Sequence, residues 1–166
     1  MNWESELPAA LAEWLKERGI PALTGWSGQE RSALTAPAVV VSVREYTACS
    51  AGFSDYLGER YDEESARWEE LYGKKVEALL GLDLYAPERS SEGEMQRLLE
   101  KMVRTFSLEC PEGMRVGELA CGGTKWDEKQ RRLKREVSVK CTFWIRAVWG
   151  DSGEFLDFEL RGGWKH

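Results

Sequence analysis

Trp68-Glu-Glu-Leu-Tyr-Gly-Lys-Lys-Val-Glu-Ala-Leu-Leu-Gly-Leu-Asp-Leu-Tyr-Ala-Pro87 decides how this chain folds. Val76, Ala78, Leu80, Leu82 and Leu84 recur in it at period two, with Lys75, Glu77 and Asp83 between them. That alternation belongs to a strand with one buried side. A strand usually has about five or six residues, so one this long is expected to cross a sheet and project beyond it. Ala86-Pro87 stops it, because a residue before proline is held extended and proline cannot continue the ladder.

Downstream, Ser91-Glu92-Gly93-Glu94 has the form of a capping box, in which serine and glutamate satisfy each other's free amides at a helix start. Met95, Leu98, Leu99, Met102, Val103 and Phe106 then form the apolar stripe of a helix ending near Leu108, a natural cover for the long strand. Cys110-Pro111-Glu112-Gly113 reads as a turn, and Met114 to Ala120 as a short strand broken by Gly122-Gly123. After a basic stretch, Glu136 to Trp149 reads as a second long strand. Val137, Val139, Cys141, Phe143, Ile145 and Ala147 lie on its inner face. Asp151-Ser152-Gly153 turns into a closing strand at Leu156, Phe158 and Leu160, and the segment 154–166 ends as a tail.

Upstream, Leu7, Leu11, Trp14 and Leu15 mark an amphipathic helix over Glu4 to Arg18, ended by Gly19 and Pro21. Trp3 and Trp14 are expected to pack at the core or its rim. Ala22 to Ala36 reads as a loop, and the β-branched run after Pro37, to Tyr46, as a central strand. Residues 47–67 read as a long excursion before the next strand. Its aromatics, Phe53, Tyr56 and Tyr61, either meet a partner surface or fold back as a small satellite cluster; both readings stay open. The order of elements predicts an α+β fold: one domain over residues 1–166, with an antiparallel or mixed sheet and helices packed on one face.

The totals are those of an ordinary folded domain. Of 166 residues 42% are hydrophobic and 31% charged, with a net charge of −6, which argues against a dedicated nucleic-acid binder. No apolar run approaches the roughly 18 residues of a membrane span, and the acidic Met1-to-Leu7 start is unlike a signal peptide. A cytoplasmic setting is expected. Cys49, Cys110, Cys121 and Cys141 lack metal-ligand spacing and are expected to be buried or half-buried free thiols.

Nothing in the chain has the form of a catalytic motif. The one histidine is the last residue, His166, and no nucleophile elbow, phosphate loop or dinucleotide fingerprint is present. Glu63/Glu64 and Glu69/Glu70 are adjacent pairs, and neighbours on an extended chain point to opposite faces, unlike paired catalytic carboxylates. No enzyme activity, cofactor or metal is therefore expected. The candidate functional residues are instead those suited to a partner: Phe53, Tyr56, Tyr61, Trp68, Leu71 and Tyr72 around the excursion, and Lys129, Arg131, Arg132 and Arg135 in the basic Lys125–Arg135 stretch. That stretch fits phosphates, an acidic neighbour or plain solvent.

This succession resembles the tail terminator, or tail completion, proteins of long-tailed phages and phage-derived tail particles. The likeness rests on the N-terminal amphipathic helix, the valine-rich strand after Pro37, the strand ending Leu82-Asp83-Leu84-Tyr85-Ala86-Pro87, the helix opening Ser91-Glu92-Gly93-Glu94, the Cys110-Pro111-Glu112-Gly113 turn and the strand near Val137 to Val148. It spans about Leu7 to Trp149. The Gly52–Glu64 excursion and the C-terminal strand and tail depart from the pattern. The resemblance implies a structural protein in a virion or tail particle, assembled in the bacterial cytoplasm as a homo-oligomeric, usually hexameric ring. Such a ring caps the tail tube, stops its growth and joins tail to head. Its implied partners are the tail tube protein, the head-side connector or neck protein and, in a contractile particle, the sheath end. DNA would pass its lumen without specific binding. Alternatives are another neck or tube component, such as a stopper or connector, or a small enzyme or ligand-binding domain with a pocket under the excursion.

Overall fold

The computed structural model describes residues 3–25, 34–50, 55–129, 131–150 and 155–160. In chain order the elements are α1 (Trp3–Glu17), β1 (Ala22–Leu23), β2 (Ala38–Ser50), β3 (Tyr56–Asp62), β4 (Arg67–Ala86), α2 (Glu92–Leu108), β5 (Met114–Asp127), β6 (Arg132–Gly150) and β7 (Phe155–Leu160). The fold is α+β, with two helices and a seven-stranded sheet among the described residues. The sheet is mixed because β1 runs parallel to β2, while every other pairing is antiparallel.

Two central strands, β4 of 20 residues and β6 of 19, pair from Glu69↔Gly150 to Ala86↔Leu133. On each outer side two strands lie end to end. β2 pairs β4 from Ala38↔Tyr85 to Ser50↔Lys74, and β3 continues along the same side from Tyr56↔Tyr72 to Asp62↔Arg67. On the far side β5 pairs β6 up to Met114↔Phe143, and β7 takes over from Ile145↔Leu160.

One half of this sheet is a helix-covered body. Leu7, Leu11 and Leu15 of α1 and Met95, Leu98, Leu99 and Met102 of α2 pack on Val39 and Val41 of β2, on alternate β4 residues from Val76 to Leu84, and on alternate β6 residues from Val137 to Ile145. These are the inner faces that period two predicts, and all are buried. Trp14 lies at the rim, stacked on Phe106 at 5.3 Å. The capping box forms, with Ser91 Oγ accepting from Glu94 N at 3.3 Å and Glu94 accepting from Ser91 N at 3.2 Å.

Several expected boundaries move, each for a local reason. Ala22–Leu23 is a short strand rather than loop, held where Val39 N donates to Pro21 O at 2.8 Å. β2 runs on to Ser50, but a bulge between Val43 and Glu45 reverses its side-chain phase, and residues 44–50 are exposed or nearly so, which erases the pattern. The described part of the 47–67 stretch is therefore not an irregular excursion: it is the end of β2 and the β3–β4 hairpin. β5 continues through Gly122-Gly123, where the register shifts between Cys121 and Thr124, so these glycines make a bulge and not a stop. β6 begins at Arg132, which places the basic stretch on a β5–β6 hairpin.

The β2 bulge has a structural use. It sends Arg44 over Gly81 of β4 to reach β6, where Nη1 donates to Val137 O at 3.2 Å and to Ser138 Oγ, while Nη2 pairs with Asp83. Asp83 Oδ1 also accepts from Val137 N at 3.1 Å, so one carboxylate and one guanidinium tie three strands together. A Cβ on Gly81 would sit 2.6 Å from Ser42 Oγ and 3.1 Å from Arg44 Nε.

The cysteines differ from expectation. Cys141 is buried, but Cys49, Cys110 and Cys121 are exposed, because they lie on β2 beyond the helices, after α2, and on the edge strand β5. Burial pushes the Cys141 thiol up to about 12, so it stays protonated and unreactive.

Two predictions test these features. Gly81→Ala should lower the unfolding free energy by about 1–3 kcal/mol in urea titrations. Gly123→Ala, where an added Cβ meets nothing within 4 Å, should change it by no more than about 0.5 kcal/mol; equal losses would discount the Arg44 crossing. An aromatic disulfide reagent should titrate the three exposed thiols in the native protein and Cys141 only after denaturant is added. Rapid reaction of all four would show that the sheet opens at β6.

Candidate functional site

The hydrophobic core stops at Val76 on β4 and Ile145 on β6. Beyond it the two central strands continue with β3 and β7 at their sides, forming a four-stranded arm that α1 approaches at β7.

Strand alternation sorts the arm into two faces. On the face continuous with the helix-covered side, Tyr56 meets Tyr72 edge-on at 5.5 Å, Tyr72 meets Trp149 at 6.4 Å, and Trp149 meets Phe155 at 5.4 Å. This row of rings crosses all four strands. Nearer the tip, Tyr61 and Trp68 pair edge-on at 5.5 Å. Cross-strand aromatic pairs stabilise a sheet by roughly 0.5–1.5 kcal/mol each, which adds to the arm's cohesion. They remain open to solvent: Tyr56, Tyr61, Trp68 and Phe155 are each about half exposed.

The opposite face is held by charge. Arg60 Nε donates to Glu69 at 2.8 Å, and its Nη1 and Nη2 reach both oxygens of Glu159 at 3.1 and 2.6 Å. Arg146 adds a second contact to Glu159 at 3.0 Å. Arg60 is on β3 and Glu159 on β7, the two outer strands of the arm, so this bridge crosses over both central strands. Val148 and Glu69 are buried beneath the bridge. The hydrogen bonds Arg60 donates to Glu159, then to Glu69, hold its proton more tightly than usual against the opposing effect of desolvation.

The aromatic face is also electronegative. Tyr72 donates its phenol to Glu70 at 3.0 Å, which raises its pKa. Tyr56 is raised by desolvation first and then by the carboxylates of Glu59 and Glu70.

The structure separates the sequence-predicted candidates. Tyr56, Tyr61, Trp68 and Tyr72 share the aromatic face, whereas Leu71 points the other way, opposite Val148. Phe53 lies outside the described residues. Lys129 and Arg131 are exposed at the β5–β6 turn, Arg131 with φ +51°. Arg132 is half-buried opposite Asp127. Arg135 is engaged internally, donating to Gly122 O and to Gln96 of α2, both at 2.8 Å. Sequence reasoning missed Trp149 and Phe155 in the aromatic row, and all of Arg60, Glu69, Arg146 and Glu159. The alternation of β6 places Trp149 on one side of its strand, but only the β4–β6 register brings it beside Tyr72.

Other chemistry is sparse among the described residues. Hollows lie at Glu4, Pro8 and Arg44, on the open sheet face at Glu77, Arg115 and Lys140, between α1 and β1 at Ala12 and Leu23, and at Pro37 and Leu98, and residues 55–67 line none of these. No group of three or more His, Cys, Asp or Glu there is placed to hold a metal ion, and no helix is long and apolar enough to cross a membrane. The adjacent pair Glu69/Glu70 does split across the arm's two faces.

Arg60→Met should destabilise the arm by about 1–3 kcal/mol, since it leaves Glu69 buried without its cation. Hydrogen exchange should then quicken in β7 while the amides of Val76 to Leu84 stay protected; equal loosening of both would mean that the bridge serves the whole fold. No protein-family model matches this chain, and no curated protein matches it in sequence.

Proposed function

We propose that this protein is a tail terminator: a non-enzymatic, ring-forming part of a long-tailed phage or phage-like tail particle that caps the tail tube, ends its growth and meets the head-side connector. The observation that supports this reading most is the arm. Its rings pair with one another across strands, yet Tyr56, Tyr61, Trp68 and Phe155 stay about half exposed together on one face. Large contiguous apolar surfaces on a protein mark contacts with other proteins. A sheet whose central strands run 20 and 19 residues also suits a subunit that must span a ring. The net charge of −6 fits a lumen through which DNA slides without sticking, because acidic walls repel phosphate.

The test combines assembly and function. Light scattering should show a concentration-dependent oligomer, six-fold in the finished ring, and added to polymerising tube protein it should bind tube ends and halt their lengthening under the electron microscope. A strict monomer at high concentration with no effect on tube growth would refute the proposal. Rings that leave tube growth unaffected would assign the protein instead to another neck position, such as a stopper or connector.

A further inference from the structure

The two ends of the long sheet carry opposite charge in matching amounts. At the arm end, residues 56–72 hold Glu59, Asp62, Glu63, Glu64, Glu69 and Glu70 against Arg60 and Arg67, so six acids against two bases leave −4. At the other end, residues 125–135 hold Lys125, Lys129, Arg131, Arg132, Lys134 and Arg135 against Asp127 and Glu128, so six bases against two acids leave +4.

Internal partners account for some of these groups and leave the outward ones clear. Glu69 is held by Arg60 and Asp62 by Ser65, while Lys134 pairs with Glu136 and Arg135 with Gln96. Exposed at the arm end are Glu59, Glu63 and Glu64, close in sequence to the open Tyr61 and Trp68. Exposed at the hairpin are Lys125, Lys129 and Arg131 with Trp126, itself 40% exposed. The ends cannot meet within one molecule, because nearly all 20 residues of β4 separate them, on the order of 60 Å.

We infer that the acidic, aromatic arm end of one copy docks on the basic β5–β6 turn of a second copy. This rests on the ring-forming reading above and names the surfaces that would make the ring. The contact is heterologous: each copy uses its arm on one neighbour and its hairpin on the other, so it closes when the rotation between copies divides a full turn. Charge also selects against the wrong assembly, since arm against arm or hairpin against hairpin brings like charges together. Lysine and arginine over the open rings of Tyr61 and Trp68 add cation–π attraction. Because these groups are exposed, the contact is strong at low ionic strength and weak near 1 M salt, where the screening length falls to about 3 Å.

The experiment uses the full chain and light-scattering mass, with two variants that reverse the outward charges. One is Lys125→Glu/Lys129→Glu/Arg131→Glu and the other Glu59→Lys/Glu63→Lys/Glu64→Lys. Each alone should need at least about tenfold more protein to assemble than wild type. An equal mixture should restore assembly to within roughly threefold, because acidic arms then meet basic hairpins and basic arms meet acidic hairpins in alternation. Unchanged thermal unfolding confirms that each variant folds; should one fail to, Lys129→Gln/Arg131→Gln replaces it and should weaken assembly in the same direction. Variants that assemble like wild type, or a mixture that does not recover, would overturn this pairing while leaving ring formation standing. A wild-type chain that stays monomeric, with or without tube protein, would remove both.

Discussion

Two helices cannot cover two strands of this length. At 1.5 Å per residue α2, with its 17 residues, spans about 25 Å, whereas β4, with 20 at 3.3 Å, spans on the order of 65 Å. The helices bury the half of the sheet between Val76 and Ala86, and the other half must be stabilised by other means. Cross-strand rings on one face and the Arg60–Glu159 bridge on the other supply part of that stabilisation. The body and the arm thus share one continuous β4–β6 ladder but differ in the physics that holds them: hydrophobic burial in one, aromatic pairing and charge in the other.

That division bears on how the molecule behaves. The body is built on buried apolar side chains, and its strands are further tied by Arg44 crossing at Gly81. The arm depends on half-exposed rings and on an ion network whose main cation is partly open to solvent. Segments with less burial open at lower free energy, which places the arm nearer the adaptable end of the molecule. A surface of this kind suits a contact completed by another subunit, because covering the rings adds the apolar burial that the arm lacks on its own.

How much of this was legible depended on whether the signal was local. The β4 and β6 faces were readable because Val76 to Leu84 and Val137 to Ala147 keep period two without interruption. The α2 start was readable because a capping box is made within four residues. The end of β2 was hidden, since the bulge at Arg44 reverses the alternation just where the strand leaves the helices and its side chains become exposed. The glycines at 122–123 misled for a related reason: a bulge and a break call on the same residue type. Of the candidate surface, Tyr61 and Trp68 stood out as aromatics among acids, whereas Arg60 and Glu159, 99 residues apart, carried no mark of their pairing.

The sequence by itself determined the α+β class, the two long strands, both helices and the presence of aromatic and basic segments apart from the core, because each is encoded in periodicity, caps or composition over a few neighbouring residues. Only the tertiary structure decided that the supposed excursion is a paired arm, that four rings from β3, β4, β6 and β7 line one face, and that the acidic and basic segments stand at opposite ends of one sheet. Those facts depend on strand register, which is set when distant segments meet, and a one-residue slip of any one strand would turn its ring to the other face.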